Sequence, residues 1–185
     1  VCSSDLNVNG VSSVLFQKRS SHVRSHTNQV CFPGGMVEES QDANIIDTSL
    51  REMGEEIGFP VHHVEILGVL RCDWSEVAKI TGVGVTPVVG FLGELTEYEL
   101  DPNASEVAEL FTIPIDTLVK EEYWGFTPPS STSYTKNHST QSALHHENPD
   151  ETGIYFSGGP HIIWGLTAYI LNRFLKDILL KYRVK

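Results

Sequence analysis

Arg51-Glu52-Met53-Gly54-Glu55-Glu56-Ile57-Gly58 is the stretch on which the reading of this chain turns. Counting back from it, the apolar residues Ile46, Leu50, Met53 and Ile57 recur at i, i+4, i+7 and i+11, the stripe of an amphipathic helix. The spacing predicts a helix over residues 43–57, with Asp42 as N-cap, Gly58 as the residue that ends it and Pro60 just beyond. At about 100° per residue, Glu52 and Glu56 stand roughly 40° apart and one turn above each other on one flank of the stripe. Arg51 lies similarly close to Glu55 on the other flank. Like charges at i, i+4 cost a helix about a few tenths of a kcal/mol unless a cation sits between them. A hard divalent ion suits such a pair. Magnesium takes carboxylate oxygens together with waters and substrate phosphates, and it lowers the pKa of an attacking water. Arg51 has in Glu55 an ion-pair partner that it would hold in place. Taken alone, the helix is equally open to the plain reading of a solvated acidic face.

Upstream, Cys31-Phe32-Pro33-Gly34-Gly35 predicts a sharp turn, since Pro fixes φ and adjacent glycines permit positive φ. Before it, residues 11–19 with Val14, Leu15 and Phe16 read as a strand entering the core, introduced by the hairpin signal Asn9-Gly10. The strand preceding that hairpin is expected to be partly missing. Residues 1–6, Val-Cys-Ser-Ser-Asp-Leu, look like translated adapter sequence and are read as a non-native leader, so that no targeting peptide can be judged. No Asp or Glu occurs between Asp5 and Glu38, while Lys18, Arg19 and Arg24 fall within seven residues and His22 and His26 stand beside them. That local basic segment fits an anion site, or else a solvated strand end. It contrasts with a formal net charge of -11 and a pI near 5.1, which disfavour a long polynucleotide as partner.

Downstream, strand-like runs are expected at 64–71, 84–92 and 109–113, with Pro114 starting a short helix toward Lys120. Residues 127–150, rich in Ser, Thr, Asn, His and Pro, read as a long flexible insertion loop whose His138, His145 and His146 are exposed. After Gly158-Gly159-Pro160, residues 162–182 read as a closing helix of scaffold, with Trp164 in the core. With 40% hydrophobic and 20% charged residues, the chain suits one domain, residues 7–185, of α/β or α+β sandwich architecture. Cys2, Cys31 and Cys72 show no C-x-x-C spacing, so neither a disulfide framework nor a zinc knuckle is indicated, and a reducing compartment follows. The most apolar run, 162–171, is too short to span a bilayer, so a soluble protein is expected.

Gly35 followed by Arg51-Glu52-Met53-Gly54-Glu55-Glu56-Ile57-Gly58-Phe59 resembles the box of the Nudix hydrolases, Arg-Glu-apolar-x-Glu-Glu-x-Gly-apolar. At typical usage of about one in sixteen, its five specified residues arise at a given start with odds on the order of 10⁻⁶. The stretch from Val14 to Gly35 is similar to the motif of the coenzyme A diphosphatase branch. Pro102-Asn103-x-x-Glu106-Val107 and Ile163-Trp164-Gly165-Leu166-Thr167-Ala168 resemble its later segments, and Glu38 stands where it has an acidic residue. The departures are a longer stretch between Gly35 and Arg51, Asn28 in place of a usual Gly, Gly54 inside the helix, and Ala43 where the box has a Glu. Glu38, Glu39 or Asp42 could stand in for that Glu.

The resemblance implies a Nudix α/β/α sandwich with a mixed central sheet and Mg²⁺ or Mn²⁺ held by Glu52, Glu56 and the Gly34 carbonyl. It implies a pyrophosphohydrolase, an enzyme acting on phosphorus-containing anhydrides, with Arg51, Glu52, Glu55 and Glu56 catalytic. Lys18, Arg19, Arg24, His26, Gly34 and Gly35 would bind substrate. That substrate would be coenzyme A or acyl-coenzyme A, cut to 3′,5′-ADP and the (acyl-)4′-phosphopantetheine. Alternatives are ADP-ribose, dinucleotides or other nucleoside diphosphate derivatives, and a nucleotide-binding module of weak activity. A monomer or a homodimer, without membrane or long nucleic acid, is expected. The compartment is left open among peroxisome, mitochondrion and cytosol, and Arg183-Val184-Lys185 is not a peroxisomal address.

Overall fold

Asn9 and Gly10 both take left-handed backbone, φ 51° and 78°, the geometry of a two-residue type I′ hairpin. They join β1 (Cys2–Val8) to β2 (Val11–Arg19), antiparallel with Val8 opposite Val11. This is a computed structural model, and it describes residues 2–72, 77, 82, 84–95, 100–126 and 153–180.

β2 organises the main sheet. One of its edges takes β6 (Val107–Pro114), antiparallel from Ser13 opposite Pro114 to Arg19 opposite Val107. The other edge is shared by β1 and by β3 (Val30–Cys31), which pairs with Gln17 and Lys18. β1 in turn runs parallel to β5 (Val88–Glu94), and β5 antiparallel to β4 (Glu65–Val69). The result is a mixed six-stranded sheet. Residues 2–6, set apart by composition as a leader, run as the first part of β1. A strand is needed there, because β2 and β5 would otherwise each present an unpaired edge. A second, antiparallel sheet is made by β7 (Trp124–Phe126), β8 (Ile154–Phe156) and β9 (Ile163–Trp164).

Val14, Leu15 and Phe16 are consecutive and all buried, which a strand permits only when its sheet is covered on both faces. Leu15 packs with Met53 and Ile57 of α1 (Ile45–Ile57) and with Phe59, Leu92 and Val107. Val14 and Phe16 project to the other side and pack with Tyr169, Ile170 and Phe174 of α3 (Gly165–Phe174). Helix, mixed sheet and helix therefore stack as an α/β/α sandwich. A short α2 (Ile115–Leu118) starts at Pro114 as the sequence predicts.

The strands expected at 64–71, 84–92 and 109–113 run as Glu65–Val69, Val88–Glu94 and Val107–Pro114, and two further boundaries differ for a clear physical reason. Ile163 and Trp164 belong to β9 and not to the closing helix, because their backbone pairs with Phe156 and Tyr155. Gly165, at φ 62°, breaks the strand, and α3 then runs on into π-helical turns over Leu175–Leu180. An apolar run of that length reads the same in either conformation, so pairing decides. The second difference, at the start of α1, bears on the site and is described below. The expected loop at 127–150 and its histidines lie outside the described residues. Among the described residues no helix is long and apolar enough to cross a membrane, and neither Cys31 nor Cys72 forms a disulfide.

Candidate active site

α1 is capped by Asn44, two residues later than the spacing predicts. Asn44 is extended (φ -161°, ψ 174°) and its side-chain oxygen accepts from the N–H groups of Ile46 and Asp47. Asp47 reaches back to the Ala43 N–H and the Asn44 amide, a reciprocal arrangement that satisfies further donors. Asp42, predicted as the cap, is otherwise engaged. Its carboxylate takes the Arg51 guanidinium on two sides, Nε at 2.9 Å and Nη2 at 3.0 Å, and accepts also from the Glu38 N–H and the Thr48 hydroxyl. The Arg51 pair, foremost, holds the Asp42 carboxyl far below the ordinary carboxylate range. Asp42 thus places a carboxylate on Arg51 one position before Ala43.

So braced, Arg51 directs Nη1 to both Glu52 and Glu55, each at 3.0 Å, while Nη2 donates to the Met36 carbonyl just after the glycine turn. The expected pairing with Glu55 is present, but Arg51 serves Glu52 equally. Glu55 is the exposed member of the acidic group and Glu56 the buried one, at 3%.

The glycine turn fits against this face of the helix. A Cβ on Gly35 would collide with the Glu52 carboxylate, so the missing side chain is the space that Glu52 fills. Gly34, at φ 151°, sends its N–H to Glu56 Oε2 at 2.9 Å. The same oxygen accepts from Gln17 Nε2 at 2.9 Å, and Arg19 Nη1 lies 3.9 Å from Glu56 Oε1. Leu15, Gln17 and Arg19 alternate onto the α1 face of β2, which brings Gln17 and Arg19 to the buried acid. Burial, only partly offset by these donors, pushes the Glu56 carboxyl up. Burial likewise raises Glu52, with the charges of Glu55 and Glu106 adding to it.

The segment after α1 returns to the same place. Asn103 N–H donates to the Glu56 carbonyl at 2.9 Å, and Ser20 N–H to the Glu106 carbonyl at 2.7 Å. Gly58 ends α1 at φ 69° with its N–H on the Gly54 carbonyl. A Cβ there would meet the Asp101 backbone at 2.8 Å. Through this approach Glu106 joins the acidic group.

Of the residues singled out in the sequence, the structure brings together Gly34, Gly35, Arg51, Glu52, Glu55, Glu56 and Arg19. Lys18 is not among them: strand alternation turns it to the opposite face of the sheet, beside Glu109 of β6. Arg24 and His26 are exposed on the loop after β2, and the His26 ring bonds Gln29. Gln17 is the residue that sequence reasoning passes over. Its signal is a polar residue directly following the three consecutive apolar residues Val14, Leu15 and Phe16.

Crowded, partly desolvated carboxylate oxygens beside a backbone turn are the donor set of a hard divalent cation. The missing Cβ at Gly35 lets the Glu52 carboxylate lie directly against that turn. Among the described residues no group of three or more acidic, His or Cys side chains is arranged to hold a metal ion, so side chains alone would give an ion no more than two such ligands here.

The comparisons agree with the geometry. The NUDIX domain family matches residues 6–133. The chain is 36% identical over 173 residues to Nudix hydrolase 3 of Caenorhabditis elegans, covering 92% of this chain and 68% of that one. It is 34% identical over 167 residues to the Nudix hydrolase NudL of Pectobacterium atrosepticum, covering 90% and 75%. The human mitochondrial coenzyme A diphosphatase NUDT8 is 33% identical over 165 residues, covering 89% of this chain and 62% of its own. Among solved structures, a Nudix hydrolase from M. smegmatis, RenU, superposes with a TM-score of 0.51 at 22% identity over 63% of this chain and 70% of that one. With the family matched over most of its length and the acidic helix folded onto its glycine turn, this chain belongs to the Nudix family of pyrophosphohydrolases.

Proposed function

We propose that the chain hydrolyses the diphosphate of coenzyme A or an acyl-coenzyme A to 3′,5′-ADP and the (acyl-)4′-phosphopantetheine. The observation that carries this is the placing of Glu52 and Glu56, one helical turn apart, against the Gly34-Gly35 turn, with Arg19 3.9 Å from Glu56. The similarity of the Val14 to Gly35 stretch to the coenzyme A diphosphatase motif, and the human relative of that name, support the substrate class.

In this reading Glu52 and Glu56, with the Gly34 carbonyl, would hold Mg²⁺ or Mn²⁺. When bound, the ion neutralises diphosphate charge and makes a coordinated water more acidic. Arg51 holds Glu52 and Glu55 in position and is itself held by Asp42. The general base would be one of Glu52, Glu55 and Glu106, since the charges of Glu55 and Glu106 both act on Glu52. Arg19, on the helix face of the sheet, engages the diphosphate, and Arg24 and His26, on the exposed loop, take the 3′-phosphate. Lys18 has no part in phosphate binding, because its side chain lies across the sheet.

A product-resolved assay on coenzyme A, dephospho-coenzyme A and ADP-ribose, with and without Mg²⁺, tests the proposal. Cleavage of coenzyme A should require the ion and exceed that of dephospho-coenzyme A by about tenfold in kcat/KM, the worth of a charge-assisted contact. Equal rates on those two would remove the 3′-phosphate contact. Turnover of ADP-ribose alone would remove the coenzyme A assignment.

A further inference from the structure

Gln17 lies wholly inside the protein, on the face of β2 that looks at α1, and nothing in packing alone calls for an amide there. Of its two neighbours in that register, Leu15 is core and Arg19 is the cation 3.9 Å from Glu56. The side chain is fixed in one orientation. Nε2 donates to Glu56 Oε2 at 2.9 Å and faces the Cys31 sulfur at 3.6 Å. A flipped amide would set oxygen against a carboxylate, so the chemistry of Glu56 settles which end is which. Gln17 Oε1 is left buried with no hydrogen-bond partner. An orphaned buried carbonyl of this kind costs roughly 1–3 kcal/mol. A well-packed apolar side chain would avoid that cost, which makes Gln17 a poor choice for stability and a purposeful one for Glu56.

Resting on the assignment of Glu56 as a metal ligand, we infer that Gln17 is the positioning residue that sets the chain's affinity for its divalent cation. Two donors, the Gln17 amide and the Gly34 N–H, converge on one oxygen, Oε2, and so lock the rotation of the carboxylate. Two hydrogen bonds from different elements, strand β2 and the glycine turn, define the plane of the group as a single bond would not. Glu56 is then presented in one orientation before any ion arrives. Residues that orient metal ligands in this way typically contribute about 10- to 100-fold in metal affinity. Gln17 touches neither the ion nor the substrate, so its effect should appear in metal binding and vanish at saturating metal.

Gln17→Met keeps the volume and removes the donor; Gln17→Leu serves if the first variant does not fold, as judged by circular dichroism and Tm. Mn²⁺ binding is measured by calorimetry without substrate, and steady-state kinetics are run across a Mn²⁺ titration. The expected result is Mn²⁺ binding weakened by about 10- to 100-fold, with kcat and KM for the diphosphate returning to within about threefold of wild type at saturating Mn²⁺. In a Glu56→Gln background the Gln17 substitution should have no further effect on Mn²⁺ binding, a non-additivity that a merely structural role would not produce. A folded variant that binds Mn²⁺ within threefold of wild type, while Glu56→Gln weakens binding at least about tenfold, overturns the inference alone. If Glu56→Gln leaves Mn²⁺ binding unchanged, the ligand assignment falls and the inference falls with it.

Discussion

The acid buried under the glycine turn is the residue with most to lose. Glu56→Gln keeps shape and removes charge, and activity should fall by at least about tenfold at every pH where the wild type works, since a neutral amide oxygen is a much weaker ligand for a divalent cation than a carboxylate. Steady-state assay checks this; activity within about threefold of wild type would sink the metal role. Asp42→Asn acts one step back, by loosening Arg51. Because the Asp42 carboxyl is held below its ordinary range by Arg51, its stabilising contribution is fully present above that ordinary range. It is lost as pH falls through the depressed value. The variant should therefore have a lower Tm than wild type at neutral pH, with the gap closing in strong acid, and should lose roughly tenfold in kcat. Thermal melts from neutrality to strong acid, read beside activity at neutral pH, separate the two effects.

At the scale of the element, α1 is a helix whose two ends are built from different material. Asn44→Ala removes acceptors from two first-turn N–H groups and should cost about 1 kcal/mol, measurable by urea unfolding. Two glycines close the same helix with opposite expectations. Gly54 sits in ordinary helix, where an added Cβ would meet Val61 Cγ1 at 3.4 Å and the Phe59 carbonyl at 4.0 Å, ordinary contact distances. Gly54→Ala should therefore stabilise by up to about 1 kcal/mol, and raise Tm without loss of the fold. Gly58 is left-handed and backs onto the Asp101 backbone. Gly58→Ala should destabilise by more than about 1 kcal/mol and, by displacing the segment that carries Glu106, lower kcat as well. The same two substitutions, assayed together, test whether the turn after α1 matters for the site or only for the helix.

Across the whole molecule, the sheet and α1 press acids together that would repel one another in water. Glu52 and Glu56 are both raised by burial, so the folded state binds more protons than the unfolded one just above the ordinary carboxylate range. Stability without metal should accordingly fall as pH rises through that window, the reverse of the Asp42 effect. A divalent cation that neutralises the charged pair should restore it. Mg²⁺ or Mn²⁺ is expected to raise Tm at neutral pH, and the increment should shrink as the pH is lowered toward the ordinary carboxylate range. Differential scanning fluorimetry across that range, with and without the ion, gives the test. A metal-induced shift independent of pH would argue that the ion binds elsewhere.

The local chemistry of this protein lay in the order of its residues. The stripe of Ile46, Leu50, Met53 and Ile57, the left-handed Asn9-Gly10 and Gly58, and the placing of three glutamates on one helix follow from periodicity and backbone sterics, which act over a few residues. So do the limits of β2, which the structure reproduces as Val11–Arg19. What required the tertiary structure was every choice between equals. Asp42 and Asn44 are both good caps, and only the arrival of Arg51 takes Asp42 away. Lys18 and Arg19 are both cations, and only the covering of both sheet faces decides that Arg19 reaches Glu56 while Lys18 does not. Gln17 looks like any polar residue until α1 packs on its strand and turns it into the partner of a buried carboxylate. Such pairings join residues far apart in the chain, and no period or propensity within a short window carries that distance.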